Sequence, residues 1–205
     1  MVLAIGRNLK VEKISFYAKN LILSLKQKGE RVCCAESCTG GMIVSKLISI
    51  PGASKVIDCG LVTYSNKSKQ IYLDVPKFEL EKYGAVSKQV AESMINGLKN
   101  KNNSDIFIST TGIAGPEGGN KKKPVGTVFH SFYIKKKNIF TIKKFYEGNR
   151  YKIRLKASMF SINETFKKLC SIMTFKEQLA VMRICGICSY TAKQFYSSAI
   201  PRRYQ

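Results

Sequence analysis

The 205-residue chain holds a single histidine, and that scarcity excludes more than any other feature. His130 alone cannot build a multi-histidine metal site, and no second histidine is available for a proton relay. Acidic residues are few as well: 13 Asp+Glu stand against 35 Lys+Arg, for a formal net charge of +22. No apolar run reaches the ~18 to 20 residues that a membrane span needs. The opening Met-Val-Leu-Ala-Ile-Gly-Arg-Asn has no basic region ahead of a long apolar stretch and no Ala-x-Ala site, which reads against secretion. Seven cysteines, including the adjacent Cys33 and Cys34, fit no paired disulfide framework and point to a reducing cytoplasm.

What is present is enough for a folded core. Hydrophobic residues make up 44% of the chain, too many for a disordered segment of this charge. The positive charge is unevenly spread: residues 121 to 156 hold twelve Lys/Arg and one acid, Glu147, which is half of the net charge. Such a patch suits nucleic acid, an anionic membrane or a phosphorylated metabolite, and equally a plain solvated face. His130 sits in Val128-Phe-His-Ser-Phe, an alternating run that reads as a strand, with its ring toward solvent or a polar neighbour.

Apolar spacing predicts a helix over 11–28, stopped by Gly29, and then a short buried strand, Arg31-Val-Cys-Cys-Ala. A helix over 39–50 ends at Pro51-Gly52, and 56–64 reads as a second strand. Residues 65–73 turn helical, Ser87 caps a helix running to about residue 100, and Asp105 to Thr111 form a third strand. After a Gly/Pro-rich loop from Gly112 to Gly126, strands at about 126–135 and 138–147 form a hairpin, and a helix from Tyr151 to Leu169 closes the pattern. The expected class is an α/β layered domain with a mixed sheet, residues 1–169. Residues 170–205 form a cysteine-containing extension with no expected packing partner, and its Cys185-Gly-Ile-Cys188 has no second pair to complete a zinc site.

Three segments carry chemistry. Ala35-Glu-Ser-Cys-Thr-Gly-Gly41 lies between a strand and a helix, where a serine is presented at the carboxyl end of the sheet and amides favour an anion. From position alone, Ser37 as nucleophile and Ser37 or Thr39 as helix cap stand level. Tyr64-Ser-Asn-Lys-Ser-Lys69 begins at the same sheet edge, so Lys67 or Lys69, desolvated, could take a serine proton. Thr110-Thr-Gly-Ile-Ala-Gly-Pro-Glu-Gly-Gly119 supplies a loop that lines a pocket and fits neither nucleotide-binding glycine fingerprint. Arg150 and Arg154 open the last helix, as phosphate ligands or as surface residues.

Taken together with Gly-Ala-Val-Ser (84–87) and Lys-Pro-Val-Gly-Thr-Val (123–128), these motifs resemble the CinA C-terminal domain family over about residues 12 to 169. That family includes the nicotinamide-nucleotide amidohydrolases. The resemblance implies a three-layer α/β/α sandwich, often a homodimer. It implies metal-free and cofactor-free hydrolysis of the carboxamide of nicotinamide mononucleotide (NMN), giving nicotinate mononucleotide and ammonia in NAD salvage. By motif, Ser37 is the nucleophile, Lys69 the base and Tyr64 their support. Thr39, Gly40 and Gly41 supply oxyanion amides, Thr111 and Gly112 fall in the substrate pocket, and Arg150 clamps the phosphate. Asn149 stands where the family carries Asp, and the lost carboxylate is expected to loosen Arg150. The rival reading is a basic nucleic-acid-associated or competence-related protein with an inactive amidase site. Without a recognisable nucleic-acid motif, only weak, nonspecific polyanion binding is expected of the patch.

Overall fold

The computed structural model describes residues 16–135, 137–174, 176 and 177. Helix α1 covers 16–28. Strand β1 (Val32–Glu36), α2 (Met42–Ile48), β2 (Ile57–Val62), α3 (Asn66–Leu73), α4 (Lys77–Tyr83) and α5 (Lys88–Lys101) follow. Then come β3 (Ile106–Gly112), β4 (Thr127–Ile134), β5 (Phe140–Phe145) and α6 (Arg150–Ser171). The sheet order is β2-β1-β3-β4-β5, with β1 parallel to both β2 and β3 and the last two pairings antiparallel.

Side-chain alternation along the central strands builds the layers. Val32 and Cys34 of β1, with Ile106 and Ile108 of β3, face a core shared with Leu21 and Leu25 of α1, Ile43 of α2 and Ile162 of α6. Cys33, Ala35 and Phe107 face the opposite side, against Leu73 of α3, Leu80 of α4, and Val90, Met94 and Leu98 of α5. Full burial of each such aliphatic side chain contributes about 1.5–3 kcal/mol. The result is the three-layer α/β/α sandwich with a mixed sheet. Because β1, β2 and β3 run parallel, their carboxyl ends share one edge, and all three chemical segments follow those ends.

Gly29 stops α1 at φ 64°, and Ser87 caps α5 by accepting from Val90 N–H at 3.3 Å, as the sequence leads one to expect. Helix α4 is not expected from the sequence; Leu80 is its only buried residue, so no apolar period marks it. The cysteine reading needs a correction. Cys33 and Cys59 stand opposite one another on β1 and β2 and are joined as a disulfide. His130 faces polar neighbours rather than solvent. It is fully buried, with Nδ1 2.9 Å from Ser161 Oγ and Nε2 3.1 Å from the Tyr146 hydroxyl. Burial holds its pKa down at about 3, with Lys144 adding to the effect.

Helix α6 continues past residue 169, and Cys170 and Met173 pack into the α1–α6 core. The Cys185–Cys188 pair lies outside the described residues. Among the described residues, no helix is long and apolar enough to cross a membrane, and no cluster of three His, Cys, Asp or Glu could hold a metal.

Candidate active site

Strand β1 delivers Ser37 at the sheet edge through a tightly fastened turn. The Ser37 N–H donates to Thr110 O at 3.0 Å, and Thr63 N–H donates to Glu36 O at 2.9 Å, so neighbouring strands fix the backbone on both sides. The buried Glu36 carboxylate accepts from Val44 N–H at 2.9 Å and Ile43 N–H at 3.2 Å, placing negative charge at the start of α2. Gly40 (φ 59°) and Gly41 (φ 86°) take left-handed conformations that side chains rarely adopt, which lets the chain turn directly into the helix.

Helix α3 presents Lys69. Ser65 Oγ accepts from Ser68 N–H at 3.0 Å, and Ser68 Oγ accepts from Ser65 N–H at 3.1 Å. This capping box fixes the first turn, so that Lys69 and Leu73, four residues apart, share the buried face while Lys67 stays exposed. Of the two lysines, the helix brings Lys69, the one the family motif points to, and not Lys67 to the serine. Lys69 Nζ donates to Ser37 Oγ at 3.0 Å, to Thr63 O at 2.7 Å and to Tyr64 O at 3.3 Å. Lys69 is only 1% exposed and Ser37 7%. Burial lowers the Lys69 pKa to about 8, against a smaller opposing effect of Cys38. Burial also pushes the Cys38 thiol up to about 12, keeping it protonated beside the serine.

The remaining expected residues divide into rim and support. Tyr64 is exposed, and its hydroxyl accepts from Arg150 Nη2 at 2.8 Å. Arg150 Nη1 donates to Gly115 O at 2.7 Å, so one guanidinium links the 112–126 loop, the start of α6 and the β2–α3 turn. Asn149 caps α6 by accepting from Lys152 N–H at 3.0 Å, and Arg150 keeps both of its partners without the expected carboxylate. The side chains of Thr39 and Thr111 are turned inward. Thr39 Oγ1 lies 2.8 Å from Thr110 Oγ1, and Thr111 Oγ1 donates to Ala85 O at 2.8 Å. Gly112 lies where β3 meets β4, and a Cβ there would come within 2.8 Å of Thr127 O. Gly40 N–H is engaged by Ser37 O at 3.1 Å. Glu36 and Thr110 lie inside the quoted motifs and Thr63 beside one, but their positioning contacts are not assigned from the sequence, because they act largely on or through backbone atoms.

A buried hydroxyl paired with a desolvated amine, at the edge where α/β sheets receive ligands, is suited to acyl transfer. The model of the CinA C-terminal domain matches residues 15–169. The chain belongs to the CinA C-terminal domain family. A nicotinamide-nucleotide amidohydrolase of Enterobacter agglomerans is 44% identical over 145 residues, which are 71% of this chain and 88% of that protein. A CinA-like protein of Fusobacterium nucleatum is 48% identical over 147 residues, 72% of this chain but 35% of the relative. Against CinA-like relatives of that kind the chain spans about a third of their length. Among solved structures, the competence/damage-inducible protein CihA of Agrobacterium tumefaciens superposes with a TM-score of 0.74 at 35% identity, covering 77% of this chain and 96% of that one. The CinA superfamily protein of Escherichia coli gives 0.71 at 32% identity, covering 74% and 88%.

Proposed function

We propose that this chain is an amidase that hydrolyses the carboxamide of NMN to nicotinate mononucleotide and ammonia, with Ser37 as nucleophile and Lys69 as its base. The observation that carries the reading is the 3.0 Å contact between Lys69 Nζ and Ser37 Oγ inside a buried site. The substrate is supported by the relative named as a nicotinamide-nucleotide amidohydrolase, most of whose length the chain covers.

As an ammonium, Lys69 has three N–H donors for its three acceptors. As a neutral amine it keeps two N–H bonds, to the carbonyls of Thr63 and Tyr64, and its lone pair faces the Ser37 hydroxyl. In that form Lys69 takes the Ser37 proton while Oγ attacks the carboxamide carbon. The C–N bond then breaks as Lys69 gives the proton to departing ammonia. Water, activated by the same amine, attacks the acyl ester, and the returning proton restores Ser37. Arg150, on the exposed rim, is the candidate ligand for the phosphate of the nucleotide.

The test is ammonia release from NMN by the purified full chain, with nicotinate mononucleotide identified as the other product. Turnover that persists in EDTA and disappears in Ser37→Ala is the expected result. No turnover by the wild-type chain, or turnover unchanged in Ser37→Ala, would overturn the reading.

A further inference from the structure

The amides of the turn that carries Ser37 are largely committed. Ile43 and Val44 N–H donate to the Glu36 carboxylate, Met42 N–H to Thr39 O at 3.3 Å, and Gly40 N–H to Ser37 O. Among the described residues, the N–H groups of Cys38, Thr39 and Gly41 enter no hydrogen bond. The Cys38 and Thr39 carbonyls, by contrast, are both held by one side chain: Arg154 of α6 donates from Nε to Cys38 O at 3.1 Å and from Nη2 to Thr39 O at 3.0 Å. Gly40 packs so closely on this guanidinium that a Cβ there would lie 2.8 Å from Arg154 Nη2.

In a trans peptide the C=O and the following N–H point in opposite directions. Drawing the Cys38 carbonyl toward α6 therefore turns Thr39 N–H to the other side of the turn. A charged donor on that carbonyl also polarises the peptide and strengthens its N–H as a donor. We propose that Arg154 is a positioning residue that aims the Thr39 N–H at the oxyanion formed when Ser37 attacks, an inference that rests on the acyl-transfer reading above. Arg154 touches no reacting atom; it acts through the peptide it holds. The two neighbouring arginines thus divide their work, Arg150 facing the rim and Arg154 the backbone beneath the nucleophile.

The experiment compares Arg154→Gln and Arg154→Lys with wild type in kcat and KM for NMN, and in the rate at which a fluorophosphonate labels Ser37. Loss of one oxyanion donor lowers kcat by about 10²–10³-fold. Arg154→Gln is expected to approach the lower end of that range, with KM nearly unchanged and with labelling slowed in parallel. Arg154→Lys, which keeps the charge but not the two-pronged fork, should fall between. A folded Arg154→Gln that keeps wild-type kcat and labelling, or that loses only KM, overturns the inference. Should Arg154→Gln not fold, wild-type kcat and labelling in a folded Arg154→Lys would do the same. A wild-type chain that is labelled yet inert toward NMN removes the substrate and leaves the labelling rates to decide on Arg154. A chain that is neither labelled nor active overturns both.

Discussion

Lys69 Nζ lies 3.0 Å from Ser37 Oγ, a contact made across two parallel strands by residues 32 positions apart in sequence. Among the described residues, neither side chain meets a partner of opposite charge; Lys69 is held by two backbone carbonyls and by burial. The contact is thus a hydrogen bond between an amine and a neutral hydroxyl rather than an ion pair.

If the two act as one unit, Ser37→Ala and Lys69→Ala should each lower kcat by more than about a thousandfold, and the double variant should be scarcely worse than either single. Lys69→Arg should fail as well, because a guanidinium keeps its proton. Lys67→Ala, on the exposed side of the same helical turn, should remain close to wild type. Steady-state ammonia release reads all of these, and equal losses at Lys67 and Lys69 would refute the assignment.

The pKa of Lys69 ties activity to stability. In the proposed mechanism Lys69 works as a neutral amine, so kcat should rise with pH and level off above about 8. The folded pKa is lowered from 10.5 to about 8, so folding must expel a proton preference that the unfolded chain retains. The resulting cost, of order 3 kcal/mol, is fully present below pH 8, declines between 8 and 10.5, and is absent above. Lys69→Met should thus gain stability relative to wild type near neutrality, less whatever the lost hydrogen bonds contribute. Its advantage should shrink as pH rises through that window. Denaturant titrations at pH 7 and pH 10.5 measure the trend, and a pH-independent difference would show that burial does not set this pKa.

Tyr64 and Asn149 support Arg150 in separable ways. Tyr64→Phe removes only the hydroxyl that accepts from Arg150 Nη2, so the guanidinium keeps Gly115 O and loses orientation at the rim. KM for NMN should rise several-fold while kcat changes little. Asn149→Ala removes the cap of α6 and should cost about 1 kcal/mol of stability. Asn149→Asp keeps the cap and adds a favourable charge at the helix start, worth about 0.3–1 kcal/mol. A large activity gain in Asn149→Asp would mean that the carboxylate has a role in substrate orientation beyond capping.

Much of this architecture was legible because its signals are periodic or local. The i, i+3, i+4 spacing of Ala18, Leu21, Ile22 and Leu25 marks α1, and Ser87 ahead of an apolar face marks α5. Ser37 and Lys69 stand in distinctive motifs, but the fold reason for preferring Lys69 over Lys67 is the cap at Ser65, which sets the phase of α3. What stayed hidden depends on register or on backbone partners. The meeting of Cys33 with Cys59 follows from how β1 pairs with β2, which neither segment announces. Arg154 bonds to carbonyls 116 and 115 residues away, and a carbonyl carries no residue identity in a sequence. Helix α4, with one buried side chain, leaves no period to read.

The boundary expected after residue 169 falls two residues before the end of α6, and this has a measurable consequence. Beyond Leu169, Cys170 and Met173 are 3% and 7% exposed and belong to the same core as Ala18 and Phe166. Ile172 N–H and Met173 N–H close the helix onto Leu169 O and Cys170 O, and Lys28 lies 3.5 Å from Glu177. A chain cut after Leu169 loses this packing and leaves a cavity lined by α1 and α6, at a cost of about 2–5 kcal/mol for the methionine alone. A chain cut after Glu177 keeps these contacts and should unfold at a clearly higher denaturant concentration than the shorter one. The residues that hold the dyad and the rim all lie between Glu36 and Arg154, far from the cut. The folded fraction of either truncation should therefore turn over at the same rate, so stability and activity separate. Unfolding midpoints for the two truncations decide the matter: if the shorter chain is as stable as the longer one, the last turn of α6 and Met173 contribute no net packing energy, and the domain does end at 169.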